Sequence, residues 1–425
     1  MEQGIRKPLT LRGEITPPAD KSISHRSLIL NSLAEGRAHV SNFLPSEDCL
    51  STLSCLQALG VQIERAGSEV SISGVGRKGF APPAETLDAG NSGTTMRLMA
   101  GLLAARRFTS TITGDESLRS RPMGRVIEPL SLMGASINGD ENKAPLIIAG
   151  GNLRGIHYRL PVASAQVKSA ILLAALLAEG NTVIEEPAAS RDHTERMLRA
   201  MGAKIESKRL TITLTPTSAA LNPLNLRVPG DISSTAFWMV AGAIHPDASI
   251  KISNVGINPT RNGIVEVLQS MGAGIIIENQ RVEGDEPVAD LLIESSFLKG
   301  IAIGGDIIPR VIDEIPVIAV AASVAEGTTT IRDASELRVK ETDRISATAT
   351  ELTKLGAQIE ELPDGMIIHG VTKLKGNRCD SCGDHRLAMA LAIAGLIAEG
   401  ETVIANAEAV NISYPGFWDD LEKLQ

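Results

Sequence analysis

The pattern Leu-x-x-(Leu/Met)-Gly-(Ala/Val)-x-Ile occurs five times along the chain, as LQALGVQI, LSLMGASI, LRAMGAKI, LQSMGAGI and LTKLGAQI. Its glycines, Gly60, Gly134, Gly202, Gly272 and Gly356, are 74, 68, 70 and 84 residues apart. LEKL at 421–424 begins a sixth copy, with Gln425 in the glycine's place 69 positions after Gly356, which reads as a final helix with no strand after it. A second signature alternates with the first: SLILNSLAEGRAHVSN, LMAGLLAARRFTSTITG, ILLAALLAEGNTVIEE, FWMVAGAIHPDASIKISN, VIAVAASVAEGTTTIRD and LAMALAIAGLIAEGETVIAN. Each is an apolar helix, usually stopped by glycine, followed by a β-rich run. The period exceeds the roughly 20–50 residues of solenoids and propellers. It describes instead one small α/β layer repeated six times.

Each unit holds a buried helix, a strand, an amphipathic helix ending in Leu-Gly and further strand, with polar motifs in the loops. Six such units group most simply as two threes. Pro17-Pro18, just before the first unit, and Val228-Pro229-Gly230, after the third, are the candidate hinges. The expected division is one discontinuous lobe of 1–20 plus 230–425 and another of 21–229, with the active site in a cleft between them.

Composition narrows the function. A chain of 425 residues, 43% of them hydrophobic, can bury several cores. A formal charge of -9 and few aromatics (six Phe, two Tyr, two Trp) disfavour a nucleic acid partner. No charged-then-apolar leader follows MEQGIRKPLTLRGE, and the longest apolar runs, such as LAMALAIAGLIA, are too short to span a bilayer. A cytoplasmic protein without a membrane partner is expected. Four cysteines make no disulfide framework, in keeping with a reducing compartment. Cys379 and Cys382 form a CxxC in CDSCGDH, with His385 close by, but the second pair of a structural zinc site is missing, so two free thiols in a loop are expected.

Polar motifs cluster at the unit starts: DKSISHR (20–26), GNSGTTMR (90–97), RSRPMGR (119–125), SAQVKS (164–169), GDISS (230–234), LRVKETDR (337–344) and DHR (384–386). An acidic protein that gathers Arg and Lys beside helix-start Ser, Thr and Asp is building local anion sites, because the first N–H groups of a helix lack intrahelical partners. GNSGTTMR runs into the helical LMAGLLAA and fits a capped helix start or an anion site equally. No Lys-Ser or Lys-Thr follows its glycines, so it is not a Walker A loop. In DKSISHR, Asp20 suits an N-cap, and Ser22 and Arg26 share a helix face with Lys21 at its mouth. That corner fits one phosphate, or a capped solvated helix start. In LRVKETDR, a helix would set Glu341 beside Lys340 and Arg344. Cations favour a carboxylate's charged form and burial opposes it, which is how a proton-transfer group is tuned; an ordinary surface ion-pair row is the alternative. Asp313, in PRVIDEIPVIAV, stands before a nearly uncharged helix, as a plain N-terminal carboxylate or something more.

Two matches carry no site. GVGRKG at 74–79 fits GxGxxG, but the prolines of the following FAPPAE cannot open the helix that a dinucleotide site requires. RDHTE has one histidine and no second ligand at metal spacing; a helix start with His193 and Glu195 exposed or contacting a neighbour is expected.

Together, DKSISHR, GNSGTTMR, RPMGR, SAQVKS, GDISSTAF, LRVKETDR and DHR resemble the enolpyruvyl transferase family over the length of the chain, on its shikimate branch. SAQVK, RDHTE and NPTR look like that branch's bacterial class II subgroup. The resemblance implies an α/β fold of two lobes, each of three βαβαββ units, and transfer of the enolpyruvyl group of phosphoenolpyruvate to the 5-hydroxyl of shikimate 3-phosphate, by a monomer with no cofactor or metal. It implies a shikimate 3-phosphate site at Lys21, Ser22, Arg26, Ser164, Gln166, Ser190, Asp313 and Lys340. The phosphoenolpyruvate site it implies is Lys21, Gly93, Arg121, Gln166, Arg344 and Arg386. By analogy Asp313 takes the proton of the 5-hydroxyl, Glu341 protonates the methylene carbon, and Lys21 shares either task. Some members carry lysine near Ile412 and asparagine at Glu336, so the contacts there differ. The branch that uses UDP-N-acetylglucosamine usually has a cysteine before its Arg-Pro, whereas the loop here reads GDESLRSRP; that acceptor, and an inactive repeat scaffold, are the alternatives.

Overall fold

In a computed structural model, which describes residues 1–77 and 79–425, the chain forms two compact units. The internal unit comprises Ala19–Val228 with Val282–Glu286; the terminal unit comprises Met1–Pro18, Pro229–Arg281 and Pro287–Gln425.

The internal unit carries helices α1 (Lys21–Ser32), α2 (Glu47–Ala58), α3 (Gly93–Ala104), α4 (Glu116–Ser120), α5 (Gly124–Leu132), α6 (Ala165–Ala175) and α7 (His193–Ala200). Its three sheets share one topology, strand order 1-2-4-3, in which the second strand runs parallel to the first and antiparallel to the fourth. In the second sheet these strands are Leu87–Asp88, Thr109–Thr113, Leu146–Ala149 and Ser136–Asn138. The first sheet takes its outer parallel strand, Leu226–Arg227, from the end of the third repeat. Each layer is therefore βαβαββ, but one of them closes only when the whole unit has folded.

The terminal unit repeats the plan with α8 (Ile232–Ile244), α9 (Gly263–Ser270), α10 (Ile308–Val311), α11 (Ile315–Val324), α12 (Arg344–Lys354), α13 (His385–Gly395) and α14 (Phe417–Leu424). Leu11–Ile15 lies parallel to Ala248–Gly256 and so begins the fourth layer. The sixth layer has no hairpin after α14, and Glu2–Arg6 pairs antiparallel with Glu401–Ala405 in its stead. Trp238 of α8 stacks on Phe417 of α14 with ring centroids 4.9 Å apart, which fixes the last helix to the core.

α1, α3 and α6 in one unit, and α8, α11 and α13 in the other, are buried on nearly all faces, as helices without a continuous polar stripe must be. At Gly101 a Cβ would come 2.2 Å from the Ala170 carbonyl oxygen, so glycine lets α3 and α6 meet backbone to backbone. The outer helices end at the repeated glycines, whose φ lies between +88° at Gly60 and +110° at Gly134. These left-handed residues turn the chain from helix to strand.

Of the matches without a site, GVGRKG begins at the end of strand Glu69–Val75, no helix follows, and Lys78 lies outside the described residues. Cys379 is not in a loop: it sits buried in strand Arg378–Asp380, because its alternation faces α12, while Cys382 is exposed in the following turn. No described helix is long and apolar enough to cross a membrane. Nothing lies within 4 Å of a Cβ built at Gly356, whose φ is +90°. Gly356→Ala should therefore cost about 1–2 kcal/mol through backbone strain alone, and Gly356→Asn less, in chemical denaturation.

Candidate active site

The inner helices are buried, and those that carry charged side chains carry them in their first two turns. Asp20 caps α1 by accepting from the Ile23 N–H at 2.8 Å, Ser92 caps α3 through Thr95 N–H at 3.1 Å, and Ser164 caps α6 through Val167 N–H at 3.4 Å. Each cap satisfies one of the orphan donors and leaves others for a ligand.

Around these starts the internal unit holds a connected set of cations and hydroxyls. Lys21 Nζ is 3.0 Å from Asp48 Oδ2. Buried Arg26 donates through Nε to Thr194 Oγ1 at 2.8 Å, through Nη2 to Ser169 Oγ at 2.9 Å and through Nη1 to the Ser22 carbonyl at 3.0 Å, which ties α1 to α6 and α7. Arg97 donates to Gln166 Oε1 at 2.7 Å, and Gln166 Nε2 donates to Thr94 Oγ1 at 2.9 Å. The α3 start is thus fastened to the α6 start. Arg121 donates to Asn91 Oδ1 at 2.6 Å, and a Cβ on Gly93 would stand 2.8 Å from Arg97 Nη1 and 3.5 Å from Arg121 Nη1. A chain of short contacts, His25 Nδ1 to Thr52 Oγ1 and Thr52 Oγ1 to Thr95 Oγ1, each 2.7 Å, joins α1, α2 and α3. Burial pushes the His25 imidazole down to about 3, so it joins this chain as the neutral ring.

Ser190 belongs to the same unit and is buried. Its hydroxyl donates to Glu186 Oε1, and its carbonyl accepts from Lys168 Nζ at 3.3 Å. Lys168 is fully buried on α6 and also reaches Glu186 Oε2 at 2.8 Å and Glu195 Oε1 at 2.7 Å. Burial opposes its charge, but Glu195 and Glu186 outweigh it and raise the lysine above its ordinary value. RDHTE therefore opens α7 with neither His193 nor Glu195 exposed. Glu195 holds Lys168, and His193 Nδ1 lies 2.7 Å from Glu286 Oε1.

The terminal unit gathers the other expected residues around Arg344, the first residue of α12. The single helix expected across LRVKETDR does not form: Ser335–Val339 is a 3-10 turn, Asp343 caps α12, and Lys340 and Glu341 precede it. The Asp343 side chain competes for the backbone N–H of Ser346 and so starts the helix late. The expected neighbours still meet. Arg344 Nη2 is 2.7 Å from Glu341 Oε2, Nη1 is 3.3 Å from Asp313 Oδ1, and Nε is 2.7 Å from Asp384 Oδ2. Asp313, at the foot of α11, also has Lys340 Nζ at 3.7 Å and Arg386 Nη2 at 3.9 Å. Asp384 is fully buried and caps α13 through the Arg386 backbone N–H at 2.8 Å, so one carboxylate holds both the Arg344 guanidinium and the start of α13. Burial works against charge on Arg344, but Glu341, Asp384 and Asp313 outweigh it and raise its pKa. Burial likewise opposes the Asp384 carboxylate, and Arg344 outweighs it and lowers that pKa.

Asp48, Arg97, Lys168, Glu186 and Asp384 were not singled out in the sequence. Lys168, Arg97 and Asp384 did carry a signal, lying within SAQVKS, GNSGTTMR and DHR; Glu186 ends the repeat copy ILLAALLAEGNTVIEE, which marks a strand and not a site, and Asp48 comes from a stretch with no motif. Ile412 and Glu336 lie in 3-10 turns. Among the described residues there is no group of three His, Cys, Asp or Glu that could hold a metal ion.

Five βαβαββ layers and a sixth without its hairpin, with charged residues gathered at inner-helix starts, have the plan expected of the enolpyruvyl transferase class. The family model for EPSP synthase (3-phosphoshikimate 1-carboxyvinyltransferase) matches residues 5–421. The chain is 56% identical over 416 residues to the 3-phosphoshikimate 1-carboxyvinyltransferase of Bacillus cereus (strain B4264), covering 97% of each. It is 53% identical over 429 residues to that of Herpetosiphon aurantiacus, covering 100% of each. A solved EPSP synthase from Acinetobacter baumannii superposes with a TM-score of 0.90 at 45% identity, over 100% of this chain and 98% of that one. The chain belongs to the EPSP synthase family.

Arg344→Met removes the guanidinium and leaves the buried Asp384 carboxylate uncompensated. Its expected cost is about 3–5 kcal/mol, read as a lowered thermal unfolding midpoint.

Proposed function

We propose that the chain transfers the enolpyruvyl group of phosphoenolpyruvate to the 5-hydroxyl of shikimate 3-phosphate, releasing inorganic phosphate, as a cytoplasmic monomer without cofactor. The observation that carries this reading is Arg344, an arginine that holds Asp313 and Glu341 together within family-wide similarity to enzymes named for this reaction.

In this reading Lys21, Ser22, Arg26, Ser164, Gln166, Ser190, Asp313 and Lys340 contact shikimate 3-phosphate, and Lys21, Gly93, Arg121, Gln166, Arg344 and Arg386 contact phosphoenolpyruvate. Glu341 gives a proton to the methylene carbon, which leaves a cationic centre at C2, while Asp313, with Lys21 assisting, takes the proton of the 5-hydroxyl as its oxygen attacks that centre. Elimination reverses the carbon proton transfer: the methyl group returns a proton to Glu341 and the C–O bond to phosphate breaks, with the proton from Asp313 going to the departing phosphate. The arginines contribute orientation and charge stabilisation, which need no reorganisation when groups are already hydrogen-bonded in place. Such fastening supports the reading for Arg121, Gln166 and Arg344.

The test is phosphate release from the purified chain with phosphoenolpyruvate and either shikimate 3-phosphate or UDP-N-acetylglucosamine. Release with the first acceptor alone is expected; release with the second alone, or with neither, overturns the assignment. Glu341→Gln and Asp313→Asn should each lower kcat by at least about a hundredfold without changing the circular dichroism spectrum, the scale of general acid–base catalysis. Gly93→Ala should displace Arg97 and raise the KM for phosphoenolpyruvate. The expected change is roughly tenfold, within the about 1–3 kcal/mol that overpacking costs.

A further inference from the structure

The polar cluster behind Ser190 contains one hydroxyl proton and two claims on it. A serine hydroxyl donates a single hydrogen bond, and a carboxylate and a phosphate dianion are both acceptors only. In the structure that proton goes to Glu186 Oε1. A phosphate oxygen placed against Ser190 Oγ in this arrangement would meet lone pairs.

Lys168 cannot resolve the conflict by binding the phosphate itself. An ammonium has three N–H donors. Those of Lys168 have three acceptors already, Glu186 Oε2, Glu195 Oε1 and the Ser190 carbonyl, and the residue is fully buried. Its effect is on Glu186: it holds one carboxylate oxygen in place and leaves the other facing Ser190. Glu186 would therefore keep a charged partner if the serine turned away.

We infer that Glu186, anchored by Lys168, competes with the substrate's 3-phosphate for the hydroxyl proton of Ser190, so that phosphate recognition is an exchange of acceptors rather than the addition of a bond. The inference rests on the reading of Ser190 as a phosphate contact given above. The exchange has a use. The 3-phosphate is remote from the reacting 5-hydroxyl and is present in both acceptor and product, so extra affinity for it would deepen ground state and transition state alike and slow product departure. A carboxylate that takes the serine back limits that affinity. Glu186 is in this sense a positioning residue.

Glu186→Asp keeps a negative charge for Lys168 and withdraws the acceptor from Ser190; Glu186→Gln replaces a charged acceptor by a neutral one and serves as the second variant. Dissociation constants for shikimate 3-phosphate and for shikimate are measured by calorimetry on the full chain, with each variant alone and combined with Ser190→Ala. Ser190→Ala should weaken shikimate 3-phosphate binding. Either Glu186 variant should tighten it about threefold to tenfold, the difference between a charge-assisted and a neutral hydrogen bond. The gain should vanish in the Ser190→Ala background and for shikimate, which has no phosphate, while kcat does not rise. A purely structural role for Glu186 moves affinity the other way, so weaker binding in both Glu186 variants overturns the inference. Equal tightening without Ser190 overturns it as well. An unchanged affinity in Ser190→Ala instead withdraws the phosphate contact on which the inference rests.

Discussion

A helix with no polar face must be covered on every side, and that requirement organises both units. α1, α3 and α6, and likewise α8, α11 and α13, are enclosed by their own sheets and by one another. The closest approach, Gly101 against the Ala170 backbone, leaves no room for a side chain between α3 and α6. Covered helices can carry charge economically only at their ends, where the backbone still has unpaired groups. The candidate functional residues sit there because the fold leaves charged groups few other places.

Burial at those ends then decides what the charges do. Arg344 and Lys168 are both almost entirely withdrawn from water, and each is kept cationic by carboxylates on its own unit. Removing one partner of such a set strands the others without solvent, so these networks hold geometry more than they add stability. The two differ in how they treat a candidate functional side chain. Arg344 itself faces Glu341 and Asp313, whereas Lys168 acts one residue removed, through Glu186 on Ser190. Asp384 has a similar indirect position, since it caps α13 at Arg386 and also fixes Arg344.

The layers were legible in the sequence because a periodic apolar pattern is local: Leu-Gly ends a helix wherever it occurs, and the left-handed φ at Gly60, Gly134, Gly202, Gly272 and Gly356 follows from having no Cβ. The capped start at Asp20 was legible for the same reason, as a side chain and a backbone N–H three residues apart, whereas the structure had to show that Ser92 caps GNSGTTMR. The start of the helix in LRVKETDR was not legible, because spacing alone does not reveal which residue caps. Asp343 took that role and left Lys340 and Glu341 outside, though the Glu341–Arg344 contact survived at three residues' separation.

The sequence by itself determined the repeat, the stops of the outer helices, the cationic motifs at the inner-helix starts and the family likeness, all of which depend on residues near one another in the chain. Only the tertiary structure decided which strands complete the layers: Leu226–Arg227 closes the first sheet and Glu2–Arg6 the last, because exposed sheet edges seek partners that short-range patterns do not specify. It also decided the partners of the buried charges. Asp384 meets Arg344 across 40 positions, and Lys168 meets Glu195 on the neighbouring helix, since the free energy of a buried ion depends on whatever the fold packs around it.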